Sequence, residues 1–300
     1  MIHFYYSYQP VIDFFLLSLG FAYSQQIALR AGVFSIGTAG FAALGGYLVA
    51  ILATRTEVPM WVIIPAGAAI GALGGYVLSI PLARLRGAFV AIATLAFVKV
   101  IIALALYFED LTGGAIGVTN IPRIMDTWSL ALMALLVIYV NWSIGRTTLG
   151  RIFAALAQDE SVAASLGVSI RRYHMIGFMV SGAIGGLFGG LQSLYVYNIE
   201  PNAFGFAFVV TILTVVVLGG RTTLLGPIMG AGIMAILPEV ARPLADNRTM
   251  VNGIIMILVI TFLPRGVGDT IVDAVRHRWR QRRGASRPQK QEVADAVASD

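Results

Sequence analysis

The stretch GRTTLGRIFAALAQDESVAASLGVSIRR, residues 145–172, is a polar and charged segment in a chain that is otherwise almost continuously apolar. Residues 128–144 before it and 173–197 after it are predominantly apolar. Each is long enough to cross a bilayer, which takes about 17–25 residues. This polar segment, as we call residues 145–172, is too long for a turn between spans and too regular for a disordered loop. It therefore predicts a surface outside the membrane that a partner binds.

The composition of the whole chain is that of a membrane protein. Hydrophobic residues make up 58% of the 300 residues and charged residues 12%. That charged fraction is about half of the roughly 25% that is usual in globular proteins. The absence of cysteine excludes disulfides and thiolate metal sites. We therefore predict an all-α fold, that of a polytopic helical membrane protein.

Nine segments are apolar and long enough to be candidate transmembrane spans. The seventh and ninth are short and the second is rich in glycine, so we expect about 8–10 spans in all. In chain order, the candidates are residues 11–29, 33–53, 59–82, 88–108, 128–144, 173–197, 206–218, 224–240 and 250–263.

Lysine and arginine are distributed unevenly between the two sides of such a bundle. If the N-terminus lies outside, sixteen of them fall inside, four fall outside, and Lys99 lies within a span. The inside loops of membrane proteins carry the excess of positive charge. The distribution therefore predicts an N-out, C-in topology and places the polar segment in the cytoplasm.

The chain divides into two predicted parts, residues 1–268 and residues 269–300. The first part is the transmembrane domain, which includes the polar segment. In the second, apolar residues share one face of a helix from Asp269 to Arg283 and most arginines lie elsewhere. That pattern is typical of an amphipathic helix on anionic lipid. Beyond Gly284 the chain is polar and is expected to be disordered.

Within the polar segment we predict one helix that ends in an elbow. Thr147 or Thr148 is placed to cap the start of a helix that runs to about Leu166. Gly167 can take the left-handed conformation that ends a helix, and Ser169 is placed to cap the next one. The apolar residues of the predicted helix fall on one stripe, which Asp159 interrupts, and they are Ile152, Leu156, Ala163 and Leu166.

The elbow carries small residues that would let another protein approach closely. Ala163, Ala164 and Gly167 give it low relief, and Asp159 and Glu160 lie at its edge. The pattern alone leaves two interpretations equally open. The helix docks a partner, or it lies on the cytoplasmic face of its own protein.

The polar segment also carries a family resemblance. Its run AALAQDESVAASLGVSIRRY, residues 154–173, resembles the cytoplasmic coupling segment of ABC importer permeases, especially those of the branched-chain amino acid type. In that family a glycine follows an alanine pair by a few residues, as Gly167 does here. Further motifs match the family in order and spacing, and they are FSIGTAGFAALGGYLVAIL (34–52), RLRGAFVAIATLAF (84–97), TGGAIGV (112–118), VVLGGRTTLLGPIMGAGIMAILPE (216–239) and FLPRG (262–266).

The resemblance implies a half-transporter of the LivM type in the bacterial cytoplasmic (inner) membrane. Its partners would be a second permease of the LivH type, two cytoplasmic ATPase subunits that bind ATP and Mg, and an extracytoplasmic substrate-binding protein. Residues 1–268 would be the permease domain, without a cofactor of its own. The segment would dock to the ATPase through Asp159, Glu160, Ala163, Ala164, Leu166 and Gly167.

The resemblance also implies a substrate class, branched-chain or related small amino acids. Urea, short amides or another small carboxylate are alternatives within the family. A different class of protein, an ATP-independent secondary transporter or channel, has no obvious use for the polar segment. The only lysines, Lys99 and Lys290, do not follow glycine, so a phosphate-binding loop ending in Gly-Lys is absent. We expect no enzyme activity, no metal site and no nucleic acid binding in this chain.

Two apolar stretches interrupted by Gly, Thr and Pro, residues 35–46 and 219–232, are predicted to be interrupted spans that line the substrate path. The alternative is tight packing without solute contact. Pro227 suits the first turn of a restarted helix.

A charge such as that of Lys99 costs about 2.5–3.5 kcal/mol at the centre of a span, so it should face the path or pair with an acid of a companion subunit. The candidate path residues are Ser35, Thr38, Lys99, Asn202, Thr222 and Thr223.

The substrate stays open because two path positions depart from the family pattern. The family often has an acid where Lys99 and Asn202 stand in this chain.

The sixth span carries a structural pattern of two adjacent stripes of small residues, which let neighbouring helices approach on two sides. The stripes are Ser181, Gly185 and Gly189, and Gly182, Gly186 and Gly190.

Overall fold

The computed structural model describes residues 2–122, 125–240 and 266–270, with side chains from Tyr8 to Leu237 and in the last segment. In these residues the chain is helical, apart from its connections and one isolated β-bridge. The α-helices are α1 (Ile2–Arg30), α2 (Thr38–Arg55), α3 (Met60–Leu82), α4 (Ala88–Tyr107), α5 (Glu109–Thr112), α6 (Thr127–Arg146), α7 (Thr148–Gln158), α8 (Glu160–Ser165), α9 (Ile170–Val196), α10 (Phe206–Gly219) and α11 (Leu225–Val240), and Pro201–Phe204 is a short 3-10 helix.

The all-α membrane fold is confirmed. Seven helices of the described residues are long and apolar enough to cross a membrane, and Leu225–Leu237 in α11 is a shorter apolar helix. Each of the first eight predicted spans coincides with one of these eight helices. The ninth predicted span, residues 250–263, lies outside the described residues, as do residues 271–300 of the predicted tail.

Helix α9 lies at the centre of the bundle, where it packs on α1, α2 and α3. A Cβ atom added to Gly186 would lie 2.3 Å from the carbonyl oxygen of Gly67, and one added to Gly189 would lie 2.0 Å from that of Ala42. The helix backbones are therefore in direct contact, which only small residues permit. The stripe of Ser181, Gly185 and Gly189 faces α1 and α2, whereas Gly182 and Gly186 face α3 and Gly190 faces Val49 of α2.

The helix ends form two faces of the bundle. The α7 face, as we call it, carries α7, α8, a first connection (residues 31–37, between α1 and α2) and a second connection (residues 220–224, between α10 and α11). At the opposite face the loops before α6 and after α9 pair through an antiparallel bridge. There Val118 and Ile199 exchange two backbone hydrogen bonds of 3.1 Å.

The prediction of interrupted spans at residues 35–46 and 219–232 is wrong. In each stretch the irregular residues form a connection between two successive helices, and the helix that follows is continuous. Three of the four glycines in the first stretch lie in α2, where they admit close neighbours, since a Cβ on Gly45 would lie 2.0 Å from the carbonyl oxygen of Gly186. Pro227 does lie in the first turn of α11, as expected.

Candidate functional site

The polar segment forms two helices where one was predicted. The cause is Asp159, whose backbone is extended between α7 and α8. One carboxylate oxygen of Asp159 accepts hydrogen bonds from the backbone N–H of Ser161 (2.8 Å) and of Val162 (3.2 Å) and from the Ser161 hydroxyl (2.6 Å). These bonds cap a new helix and end the old one. They also hold the pKa of this exposed carboxyl below its ordinary value, with the Ser161 hydroxyl as the largest cause.

The predicted end of the helix at Gly167 is confirmed. Gly167 has a φ of +83°, and its N–H bonds the carbonyl of Ala164 at 2.9 Å. The N–H of Val168 bonds the carbonyl of Ala163 at 3.2 Å. This pair of bonds is a Schellman motif, which satisfies carbonyls that the end of a helix would otherwise leave free. Ser169 occupies the N-cap position of α9, although its side chain makes no capping bond.

The start of the segment differs in one detail from the prediction. Thr147 precedes α7 at the N-cap position, but its side chain caps no N–H of the helix. Its hydroxyl instead donates 2.8 Å to the carbonyl oxygen of Ile144, at the end of α6. The hydroxyl therefore joins α7 to α6, and Gly150 lets the two helices turn closely, since a Cβ there would lie 2.5 Å from the same carbonyl oxygen.

Helix α8 and the elbow present a small, mostly apolar surface to solvent. Leu166 is 77% exposed and Val162 57% exposed, and Ala164 and Gly167 are exposed beside them. Ala163, which was expected to contribute to this surface, is 1% exposed because it lies on the inner side of the turn. Asp159 is exposed at its edge.

Glu160, at the start of α8, is turned toward the bundle. Its carboxylate lies 3.9 Å from Nε2 of His174 in α9. Both side chains line a cavity of about 160 Å³ beside the first connection, together with residues at the end of α3 and the start of α4. Glu160 is therefore shared between this cavity and the exposed surface.

Helix α7, in contrast, lies flat on its own protein. Its side chains Phe153 and Leu156 are 3% and 2% exposed. Gly32 of the first connection has a φ of +85°, and a Cβ there would lie 3.1 Å from the carbonyl oxygen of Leu156. The two interpretations of the polar segment thus apply to different halves: α7 covers the bundle, and α8 with the elbow projects from it.

Beneath α7, four consecutive residues of α1 hold the connections in place. The 23–26 band, as we call Tyr23, Ser24, Gln25 and Gln26, is buried, with exposed fractions of 0% to 2%. The Tyr23 hydroxyl donates 2.7 Å to the carbonyl oxygen of Leu224, and the Ser24 hydroxyl donates 2.7 Å to that of Ser181. The band therefore joins α1 to both α9 and the second connection.

The two glutamines of the band bond different connections. Gln25 donates through Nε2 to the carbonyl oxygen of Ser35 and accepts through Oε1 from the Thr38 hydroxyl at 2.7 Å. Gln26 donates through Nε2 to the carbonyl oxygens of Thr223, at 2.7 Å, and of Gly220, at 3.4 Å. Irregular backbone inside a membrane protein must find such partners, because lipid offers none.

Asp269 holds the second connection from its other side. Its carboxylate accepts from the backbone N–H of Thr222 at 3.1 Å and of Thr223 at 2.9 Å, and the side chain is 6% exposed. These N–H groups lie just before α11, where the partial positive charge of a helix N-terminus favours a carboxylate. Asp269 thus fixes the start of α11.

A cleft of about 460 Å³ opens at the α7 face between α7 and the two connections. Its walls are Gly32, Val33 and Phe34 on one side and Arg221 and Thr222 on another. Helix α7 supplies the third wall through Gly150, Ala154, Ala157 and Gln158. The polar segment, the first connection and the second connection therefore meet at one site.

The candidate path residues fall into three places. Ser35 and Thr38 are 2% and 3% exposed and are joined through Gln25. Thr222 and Thr223 lie in the second connection, where Thr222 is exposed. Lys99 in α4 and Asn202 in the 3-10 helix are exposed on the outside of the chain and join neither group.

Sequence reasoning missed the 23–26 band and Asp269. The band had a visible signal, because YSQQ places four hydrogen-bonding side chains in succession within an apolar span. Polar side chains in spans almost always face the bundle interior and find partners there. Asp269 had no comparable signal, because it stands in a polar stretch at the boundary of two predicted parts. Among the described residues no three His, Asp or Glu side chains gather as metal ligands would.

The chain matches known proteins over most of its length. Residues 10–260 match the family described as a branched-chain amino acid transport system permease component. The chain is 30% identical to the high-affinity branched-chain amino acid transport system permease protein LivM of Escherichia coli strain K12, over 79% of this chain and 64% of that protein. The LivM protein of Salmonella typhimurium strain LT2 is 29% identical over the same shares.

A second kind of permease is also similar to this chain. The high-affinity branched-chain amino acid transport system permease protein LivH of Escherichia coli strain K12 is 25% identical over 50% of this chain and 48% of that protein. The chain spans 64% of the length of the LivM relatives that it matches. No solved structure matches the chain.

Proposed function

The chain belongs to the family of permease components of branched-chain amino acid transport systems, and we propose that it forms half of the translocation path of an ATP-driven ABC importer. The other half is a second, LivH-type permease. Two cytoplasmic ATPase subunits supply ATP binding and hydrolysis with Mg, and an extracytoplasmic binding protein delivers the solute. This chain supplies the path and the coupling surface and performs no chemistry on the solute.

The observation that carries this proposal is the division of the polar segment. Helix α8 and the elbow expose Val162, Ala164, Leu166 and Gly167 at the end of the bundle, although the segment is attached firmly through α7 and Ala163. An exposed apolar surface on a firmly held support is suited to a protein partner. We propose that the ATPase binds there, with Asp159 maintaining the shape of the surface through its cap.

The same attachment supports a route for coupling. Helix α7 touches the first connection at Gly32 and shares the large cleft with the second. A displacement of α8 by the ATPase would move α7, and with it the walls of the cleft. Because Gln25 and Gln26 bind the two connections to α1, the movement would reach both connections together.

The orientation in the membrane follows from charge. The excess of lysine and arginine at the α7 face supports a cytoplasmic position for that face and N-out, C-in topology in the bacterial inner membrane. The paired loops of Val118 and Ile199 then lie outside, where the binding protein delivers the solute. The path runs from there to the cleft, past Ser35, Thr38, Thr222 and Thr223.

The solute is proposed to be a branched-chain or related small amino acid. The LivM and LivH relatives, which are permease proteins of branched-chain amino acid transport systems, support this choice. Urea, a short amide or another small carboxylate are the alternatives within the family. Binding measurements on the partner binding protein distinguish these solutes most directly.

Co-purification with the ATPase tests the proposal. The tagged chain is expressed with the LivH-type permease and the ATPase subunits, and the ATPase recovered per chain is measured. Wild type is expected to retain the ATPase, and Gly167→Trp is expected to lose it. The matched control is Gly87→Trp, because Gly87 is also exposed at the α7 face, has a φ of +60°, and like Gly167 has no atom within 4 Å of an added Cβ.

The two variants share the strain of a side chain at positive φ. A difference in ATPase recovery between them is therefore due to the position of Gly167 at the elbow. Equal recovery of the ATPase with both variants would show that the elbow is not the docking surface. If the wild-type chain retains no ATPase, the proposal of an ABC importer is contradicted, and an ATP-independent transporter or channel is favoured.

A further inference from the structure

Lys99 lies on the outer surface of the bundle, at the middle of α4. Helix α4 is the most apolar of the seven membrane-length helices, and Lys99 is its only charged residue. The nearer end of the helix, Tyr107, is about 12 Å away along the axis. The four-carbon stem of a lysine is about half that length, so the amine does not reach the membrane surface from this position.

Nothing in the described part of the chain neutralises this amine. The side chain of Lys99 is exposed, and no described carboxylate forms an ion pair with it. Asp13, an acid within a described span, is completely buried in α1. A lysine that faces lipid at the centre of a span is strongly unfavourable. The predicted span outside the described residues, residues 250–263, carries no acid, so the carboxylate that covers Lys99 within the membrane comes from another chain.

The surroundings of Lys99 indicate a helix as the covering group. Ala96 and Ala103 lie one turn to either side and are both exposed, so the face has low relief around the amine. Small residues on a helix face allow a neighbouring transmembrane helix to approach closely. The other exposed side chains nearby, Ile92, Val100 and Leu104, are apolar. The face offers no carboxylate for the ammonium group of an amino acid, which a path for such a solute would need.

We propose that the α4 face of Ala96, Lys99 and Ala103 binds a transmembrane helix of the second permease, and that a carboxylate on that helix pairs with Lys99. This inference rests on the proposed function, which includes a second permease. A second copy of this chain is a poorer occupant, because a two-fold contact between two α4 helices would set Lys99 against Lys99.

Cross-linking in the membrane tests the interface. The chain has no cysteine, so Ala96→Cys and Ala103→Cys introduce single thiols on the proposed face. Each variant is expressed with the LivH-type permease carrying single cysteines along its spans, and is treated with a short bismaleimide. The matched control is Leu135→Cys in α6, which is 66% exposed on a helix that carries no charge before Arg146. Cross-links to the second permease are expected from positions 96 and 103 and not from position 135.

Charge variants test the ion pair. Lys99→Glu is expected to reduce co-purification of the second permease by about tenfold or more, because it sets a like charge against the partner acid. Lys99→Met preserves length and apolar packing, so the chain should still insert and cross-link through position 103. If the acid of the second permease that pairs with Lys99 is replaced with lysine, that permease should again assemble with the Lys99→Glu variant.

Several results would overturn the inference. One is absence of cross-links from both alanine positions while the second permease and the ATPase still co-purify, which leaves the importer assignment intact. Another is Lys99→Met that assembles normally but raises the solute concentration for half-maximal uptake, which would place Lys99 in the path. If wild type retains no second permease at all, this inference and the proposed function both fail.

Discussion

Gln25 and Gln26 are neighbours in α1, yet their side-chain amides hold two connections that are far apart in the sequence. Gln25 bonds Ser35 and Thr38, and Gln26 bonds Thr223 and Gly220. Both glutamines are buried, so these hydrogen bonds form in a medium of low dielectric constant, where an unmade bond is costly. The relative position of the two connections is thereby fixed by a single turn of α1.

Replacement of Gln26 tests whether this arrangement holds the second connection. Gln26→Leu leaves the carbonyl oxygens of Gly220 and Thr223 without their side-chain donor, which should destabilise the fold by about 1–3 kcal/mol. We expect a lower Tm in detergent and slower ATP-driven uptake, with retention of the ATPase unchanged. Gln158→Leu, at an exposed position of α7, is the control and should change the free energy of unfolding by less than about 0.5 kcal/mol. Equal Tm values for the two variants would count against the role of Gln26.

The helical architecture was predictable because it follows from local properties of the chain. Apolar runs of sufficient length predicted eight of the described helices, and Gly167 predicted the end of a helix because glycine readily adopts a positive φ, which is +83° here. The break at Asp159 was missed because the same residue can either interrupt an apolar stripe or cap a new helix. Only the bonds to Ser161 and Val162 decide between them.

The candidate site was less predictable, because its contacts join distant parts of the chain. Of residues 35–46 and 219–232, only 35–37 and 220–224 are irregular, and the glycines of the two stretches do not say whether a helix breaks or a neighbour approaches. That distinction depends on which helix lies opposite, as Gly186 lies opposite Gly45. The partner of Asp269 likewise depends on how α10 and α11 place the second connection.

Glycine packing around α9 predicts a sharp contrast between two substitutions. A Cβ on Gly186 would lie 2.3 Å from a backbone oxygen of Gly67, whereas the nearest atom to a Cβ on Gly232 is a ring carbon of Phe15 at 3.8 Å. Gly186→Ala should therefore cost about 1–3 kcal/mol through forced separation of α9 and α3. Gly232→Ala should be neutral or stabilising by up to about 1 kcal/mol, because it removes a helical glycine. Thermal unfolding in detergent measures both.

If Gly186→Ala unfolds at the wild-type temperature, the close contact of α9 and α3 is wrong. The yield of monodisperse protein in size-exclusion chromatography supplies a second measure, since a bundle that cannot close should aggregate. Gly232→Ala should equal wild type in that measure.

The Asp159 cap predicts a defined pH dependence for α8. Its hydrogen bonds lower the pKa of the carboxyl below the ordinary value of 3.8. A lowered pKa in the folded state means that the contribution is complete above the unfolded value and is lost only as pH falls through the lower, folded value. Protection of the Ser161 and Val162 amides in hydrogen exchange, corrected for intrinsic rates, should therefore be constant between pH 5 and pH 8.

Substitutions separate the charge of Asp159 from its capping geometry. Asp159→Asn keeps an acceptor for the two amides and should retain most of the protection, since asparagine caps about as well as aspartate. Asp159→Ala should lose the protection and weaken binding of the ATPase. Full protection in Asp159→Ala would show that the cap does not order α8.

Thiol labelling tests the proposed path at the α7 face. In the described conformation Thr38 is 3% exposed, whereas Thr222 is exposed at the large cleft. Thr222→Cys should react readily with a membrane-impermeant maleimide applied from the α7 face. Thr38→Cys should react at least about tenfold more slowly, because its reaction needs a local opening.

In the assembled importer, the rate of maleimide labelling of Thr38→Cys should change when ATP or solute is added. Thr222→Cys supplies the matched control for access of the reagent. A Thr38→Cys rate that stays constant under all conditions would exclude Thr38 from a moving path.

Uptake in proteoliposomes tests the central claim most directly, namely that this chain works as a permease driven by a separate ATPase. Purified chain, LivH-type permease and ATPase are reconstituted, binding protein and radiolabelled leucine are added outside, and ATP is enclosed within. We predict that uptake needs ATP and all four components. Gly167→Trp should abolish this uptake, and Gly87→Trp should not. Uptake of leucine by this chain alone, driven by an ion gradient without ATP, would contradict it.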